Sequence, residues 1–172
     1  DAKCLLERFD SISVREKSGI SICKNDFGLD AIQVLDPTLL LTVDDYNHFI
    51  NSEKDNLSEL PNVEYIAYSF INSNKHFDDI KSGSAMASFA DLSFVNCLWS
   101  NNNYRHVADW MNIIKNATYV VTDSFHAVVF CIIFKKRFVA IVPEDNFNGN
   151  DRIRSLLDLF EISNQRITTS VR

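Results

Sequence analysis

Glycine is scarce: four occur in 172 residues, at Gly19, Gly28, Gly83 and Gly149, and no two lie close together. A Walker A loop or a GxGxxG dinucleotide turn needs clustered glycines so that backbone can approach phosphate, and this spacing excludes both. Any anion held by the chain is held another way. Basic residues are also in the minority, 17 Lys+Arg against 23 Asp+Glu for a net charge of −6. Phosphate binding leaves a basic footprint, so the balance argues against nucleic acid as the main partner. No apolar run approaches the ~20 residues of a membrane-spanning helix. The longest, Ala127 to Phe134, reads as a buried element. The four cysteines (Cys4, Cys23, Cys97, Cys131) lack CxxC or metal-ligand spacing. Cys23 and Cys131 sit among apolar residues and read as buried free thiols, which fits a reducing, cytoplasmic compartment. His48, His76 and His106 have no Cys or second His at ligand spacing, so no metal site is expected. No signal-peptide pattern opens the chain, and a start at Asp1 reads as a processed or trimmed piece.

What remains has the balance of a globular protein, 46% hydrophobic against 23% charged, with enough chain to bury a core. Ser11 to Arg15 alternates and predicts a short strand. Ile20, Cys23 and Phe27 fall at i, i+3, i+7, one face of a helix stopped by Gly28. Ala31 to Leu35 predicts a second strand, closed by Asp36-Pro37. Thr42 is an N-cap followed by acids, opening a helix with Val43, Tyr46 and Ile50 on one side. Residues 51–62 are polar, end in Pro61 and read as a linker. A second series follows: a strand over Val63–Phe70, a helix over Phe77–Ala90, a strand over Ser93–Leu98 and a loop over Ser100–Tyr104. Val107, Trp110, Met111 and Ile114 give a helical face over His106–Asn116. Thr118–Val121 is a buried strand running into an all-round apolar helix that ends at Phe134. Arg137–Val142 is a further strand, and Ile153, Leu156, Leu157 and Phe160 predict a last helix. Strands alternating with helices, the strands continuously apolar, predict an α/β fold with a Rossmann-like parallel sheet covered on both faces.

Open α/β sheets bind ligands at the carboxyl ends of their strands. Tyr119 to His126 is such a place, a buried strand turning at once into a helix. Asp123 or Thr122 would be the N-cap, and His126 would lie in the first turn, where free backbone N–H groups and the helix dipole favour an anion. An imidazole there can bind the anion or move a proton near neutral pH. Position alone is equally met by Asp123 and Ser124 as plain caps and His126 as a surface histidine. Arg15 ends the first strand and can hold a carboxylate or phosphate bidentately, or simply pair with Glu16. Asn150 and Arg152 open a helix after another strand, and capping plus a surface charge explains them as well.

Five stretches in order carry a resemblance: Phe9 to Ser18 (FDSISVREKS), Val34 to Leu41 (VLDPTLLL), Trp110 to Ala117, Val120 to His126 (VVTDSFH) and Gly149 to Ile153 (GNDRI). Together they resemble the polysaccharide pyruvyl transferase family. The resemblance implies a glycosyltransferase-B-type fold: residues 1–50 the tail of an N-terminal Rossmann-like domain, 51–62 a linker, and 63–172 the C-terminal Rossmann-like domain. It implies transfer of the pyruvyl unit of phosphoenolpyruvate to a sugar of a cell-surface polysaccharide precursor as a ketal. His126 and Arg15 would be catalytic, in one cleft, with Asp123, Ser124, Phe125, Asn150 and Arg152 binding substrate. No metal or resident cofactor is implied, phosphoenolpyruvate being a co-substrate. The implied acceptor is a sugar or lipid-linked oligosaccharide, and the implied location cytoplasmic, at the inner face of the membrane. Most of the family's first domain precedes the matched motifs, so a fragment, a homo-oligomer or a complementing N-terminal half is expected. Where the family usually has glycine after the motif histidine, this chain has Ala127. The alternatives are a nucleotide-sugar-dependent glycosyltransferase of the same fold and a non-catalytic binding or assembly domain.

Overall fold

A computed structural model describes residues 2–71, 92–100, 103–143 and 151–169. The helix expected over 77–90, together with Asn150, lies outside the described residues. Within them the elements are α1 (Ala2–Leu6), β1 (Ser13–Val14), α2 (Lys17–Phe27), β2 (Ile32–Gln33), α3 (Val43–Ser52), β3 (Tyr65–Ser69), β4 (Ser93–Asn96), β5 (Trp99–Ser100), β6 (Asn103–Tyr104), α4 (Val107–Asn116), β7 (Tyr119–Thr122), α5 (Phe125–Ile133), β8 (Arg137–Pro143), α6 (Asp151–Leu159) and β9 (Arg166–Thr169). They form an α/β protein of two compact units. The first gathers residues 1–40, 142–164 and 168–172; the second is 41–141 with 165–167.

In the first unit β1 pairs parallel with β2, Ser13 opposite Ile32. The connection is α2, which ends at Gly28 as its periodicity predicts. Gly28 adopts φ 71°, a left-handed conformation that a Cβ disfavours, and the amides of Gly28 and Leu29 reach back to Lys24 and Cys23. α2 packs on α6, and α6 supplies the missing caps: the Lys17 and Ser18 amides donate to Ser155 Oγ and to Asp151 Oδ2, each at 3.4 Å.

The second unit carries the main sheet, in the order β4-β3-β7-β8-β9. β4, β3, β7 and β8 all run parallel, with Tyr68 opposite Asn96 and Ser69 opposite Thr122, so the carboxyl ends of three neighbouring strands are level. Parallel strands alternate helix-facing and opposite-facing residues, and here both sets are apolar. Ile66, Phe70, Val121 and Ile141 form one core cluster. On the alternate positions Tyr65, Ala67, Val120 and Ala140 are buried, and the Tyr65 hydroxyl donates to the Ile113 carbonyl of α4 at 2.8 Å. α4 packs against both α3 and α5, with the Tyr46 ring edge-on to Phe130 at 4.8 Å and Trp110 edge-on to Phe130 at 5.2 Å. α3 opens with the capping box that Thr42 and Asp45 announce.

Two expectations need correction. Ser100–Tyr104 is not a plain loop: its ends pair as the antiparallel β5–β6 hairpin, where Trp99 faces Tyr104 and the cross-strand aromatic contact favours pairing. The buried face of α4 is also wider than its spacing implies. Ala108, Asp109, Met111, Ile113 and Ile114 are buried while Val107 is exposed, because helices pack on two of its sides. Cys23, Cys97 and Cys131 are free and buried, and Cys4 is free and exposed.

Candidate functional site

The strand-to-helix turn after β7 carries three consecutive buried polar residues. Thr122, Asp123 and Ser124 are all less than a tenth exposed. Their hydrogen bonds explain how they tolerate burial. The Thr122 hydroxyl donates to the Ser69 carbonyl at 2.6 Å and accepts from the Ser124 amide at 2.9 Å. Asp123 donates its amide to the same Ser69 carbonyl, and its carboxylate accepts from the Ile71 amide at 2.6 Å. The turn is thereby tied to the carboxyl end of β3.

The N-cap is Ser124, not Asp123 or Thr122. Its side chain accepts from the Ala127 amide, while the Asp123 carboxylate is directed to the neighbouring strand instead. A one-residue shift of the cap places Phe125 and His126 as the first two helical residues of α5. Phe125 is buried and stands edge-on to the His126 ring, with centroids 5.4 Å apart. His126 is exposed. By helix geometry, first-turn amides of α5 lack carbonyl partners within the helix. Ala127 needs no glycine-like conformation: it is buried in the first turn, and Lys135 and Glu161 are the described non-glycine residues with positive φ.

Arg15 lies in the first unit. Its guanidinium donates to the buried carboxylate of Asp36 and stands 3.8 Å from Glu16, and Gln33 holds the Arg15 carbonyl. The sequence suggests Glu16 as the ion-pair partner; the buried one is Asp36, 21 residues away. Only the Val34–Leu41 motif hints at Asp36. Thr38 completes that carboxylate's shell with its amide and hydroxyl, at 3.0 and 2.7 Å. Burial works against the charge on Asp36, but the hydrogen bonds from Thr38 and the Arg15 guanidinium outweigh it and hold the carboxyl below the usual range. Because the folded value lies below the unfolded one, the associated stability is present above about pH 4 and is lost as pH falls further. Guanidinium unfolding of wild type and Asp36→Asn across pH 3 to 7 should therefore show a gap that narrows at the acid end. Parallel curves would exclude the linkage. Arg152 is half-buried in the first turn of α6, the helix that caps α2 just after Arg15.

A second buried charge cluster shows in the sequence only as the i, i+4 spacing of Arg105 and Asp109. The Arg105 guanidinium donates to Asp109 Oδ2 at 2.8 Å, to Ser58 Oγ at 2.7 Å and to the Asn96 carbonyl at 2.8 Å. Ser58 donates both amide and hydroxyl to Asp109 Oδ1. This clasp ties the polar 51–62 stretch to α4. Nearby, burial pushes the Cys97 thiol up to about 12, so it stays protonated and inert at neutral pH. No helix among the described residues is long and apolar enough to cross a membrane.

Parallel strands with level carboxyl ends, and a polar turn there that opens a helix under an exposed histidine, define an α/β protein with its candidate site at the sheet edge. The family model of the polysaccharide pyruvyl transferases matches residues 1–146, and the chain belongs to that family. No curated protein and no solved structure matches the chain.

Proposed function

We propose that this protein transfers the pyruvyl unit of phosphoenolpyruvate to a sugar of a polysaccharide precursor, on a glycosyltransferase-B-type scaffold of Rossmann-like halves. The observation that carries the reading is family membership over residues 1–146, joined to an exposed histidine at the start of α5. The turn from Thr122 to Ser124 is held by hydrogen bonds to Ser69 and Ile71, which suits a site that must hold an anion in one pose. In this reading Asp123 and Ser124 shape the turn, Phe125 fixes the His126 ring, and first-turn amides with the helix dipole receive the phosphate or carboxylate.

The chemistry follows from the enol phosphate. A proton added at C3 makes C2 electrophilic. A sugar hydroxyl oxygen then bonds to C2 and returns a proton to the acid; the C2–O bond breaks with its electron pair leaving on phosphate; a second hydroxyl bonds to C2 and closes the ketal, its proton passing to the departing phosphate. A guanidinium does not give up its proton in proteins, so the acid is His126 rather than Arg15. Arg15, with Asn150 and Arg152, is assigned by its motif to hold substrate anions. No resident cofactor enters, phosphoenolpyruvate being consumed as co-substrate.

The test is phosphate release from phosphoenolpyruvate with methyl galactoside or methyl mannoside as acceptor. Release that requires both substrates is expected. No release with either acceptor, together with phosphoenolpyruvate binding that His126→Ala leaves unchanged, would overturn the assignment. Uridine diphosphate binding more tightly than phosphoenolpyruvate would replace it with a nucleotide-sugar glycosyltransferase.

A further inference from the structure

The β5–β6 hairpin leaves the sheet at the carboxyl end of β4, two strands from the turn that opens α5. With strands about 4.8 Å apart, β4 and β7 are separated by roughly 10 Å at the same edge. On the hairpin, Trp99 and Tyr104 stack at 3.9 Å between centroids, yet they remain 41% and 75% exposed. Beside them is a pocket of about 200 Å³ lined by Cys97, Leu98, Tyr104, Arg105, Val107 and Trp110. Val107 belongs to the apolar face of α4, but it is 56% exposed and lines this pocket instead of the core.

We infer that the Trp99–Tyr104 pair and this pocket form a subsite for one sugar ring of the acceptor. The choice of a sugar rests on the pyruvyl-transfer reading; the site itself rests on the hairpin. The electron-rich face of an aromatic ring attracts the polarised C–H groups on one side of a pyranose. A pocket of 200 Å³ falls below the ~300–1,000 Å³ of drug-sized ligands and suits a single ring. Charge argues against a nucleotide here. Among the described residues Arg105 is the one cation in the lining, and its guanidinium already serves Asn96, Ser58 and Asp109. The same bonds make the platform rigid: the Arg105 amide donates to the Leu98 carbonyl at 2.9 Å, closing the hairpin base, while its side chain anchors that base to α4. A preformed platform loses little freedom on binding.

The experiment is a titration of the intact chain with methyl galactoside, methyl mannoside and uridine monophosphate, read by tryptophan emission and by saturation-transfer NMR. Saturable binding of one glycoside is expected. Trp99→Ala or Tyr104→Ala should weaken it about tenfold, as for loss of one stacked ring, while Trp99→Phe retains most of it. Tyr104 is the more exposed of the two, so Tyr104→Ala serves if Trp99→Ala does not fold. The subsite is overturned if neither glycoside binds, if the alanine variants bind as wild type, or if uridine monophosphate binds more tightly than both. Phosphoenolpyruvate is titrated separately on wild type and His126→Ala. Its failure to bind removes the pyruvyl reading while the glycoside result still decides the subsite.

Discussion

Asp109→Ala should lower the unfolding free energy of the second unit by about 3–5 kcal/mol, the cost of removing one member of a buried ion pair and leaving the other uncompensated. The Asp109 side chain is 5% exposed and that of Arg105 12%. Asp109 also receives the amide and hydroxyl of half-buried Ser58, so its loss leaves the Arg105 charge without its carboxylate and removes two further hydrogen bonds. Lys24 and Asp30 provide the comparison. Their contact is equally short, 2.8 Å, but the side chains are 61% and 92% exposed. Asp30→Ala should therefore be close to silent, because exposed pairs are screened and entropically costly. Lys24 and Asp30 lie in the first unit and Asp109 in the second, so urea unfolding is followed by far-UV circular dichroism, which reads the helices of both. Equal midpoints for Asp109→Ala and Asp30→Ala would mean that burial does not govern these pairs.

Asp109 also shows where a linear reading stops. Periodicity located α4 correctly, but a face drawn through Val107, Trp110, Met111 and Ile114 left Asp109 among the polar positions. A helix packed on two sides has no single buried stripe, and the partners that make a buried carboxylate tolerable lie 51 and 4 residues away. Arg15 and Asp36 repeat the lesson. The strand-end arginine was visible, while its partner depended on the parallel pairing of β1 with β2, which only tertiary structure defines. By contrast, the helix stop at Gly28, the N-cap at Thr42 and the apolar strands are legible because each depends on residues close in sequence. The strand-to-helix turn lay between these extremes. Its place at Tyr119–His126 was plain, but three polar residues in a row compete for the cap. Which one wins is decided by the Ser69 carbonyl and the Ile71 amide, which draw Thr122 and Asp123 toward β3 and leave the cap to Ser124.

That one-residue outcome bears on catalysis. With Ser124 as cap, His126 occupies the second helical position, exposed and braced by Phe125. His126→Ala should then reduce turnover by about 10²–10⁴, the range for loss of a general acid, with little change in melting temperature because the ring is exposed and touches only the edge of Phe125 among the described contacts. A histidine that only binds the anion predicts a different pattern: KM for phosphoenolpyruvate rises and kcat holds. His126→Arg separates the two roles. A guanidinium places a permanent positive charge at the helix start but cannot give up a proton, so it should support phosphoenolpyruvate binding without restoring turnover. Ser124→Ala gives the structural counterpart. Loss of the N-cap bond costs about 1 kcal/mol of stability and frees the first turn. It should therefore lower both melting temperature and turnover, whereas His126→Ala lowers turnover alone. If His126→Ala keeps turnover within threefold of wild type, the proton comes from elsewhere and the α5 start only binds.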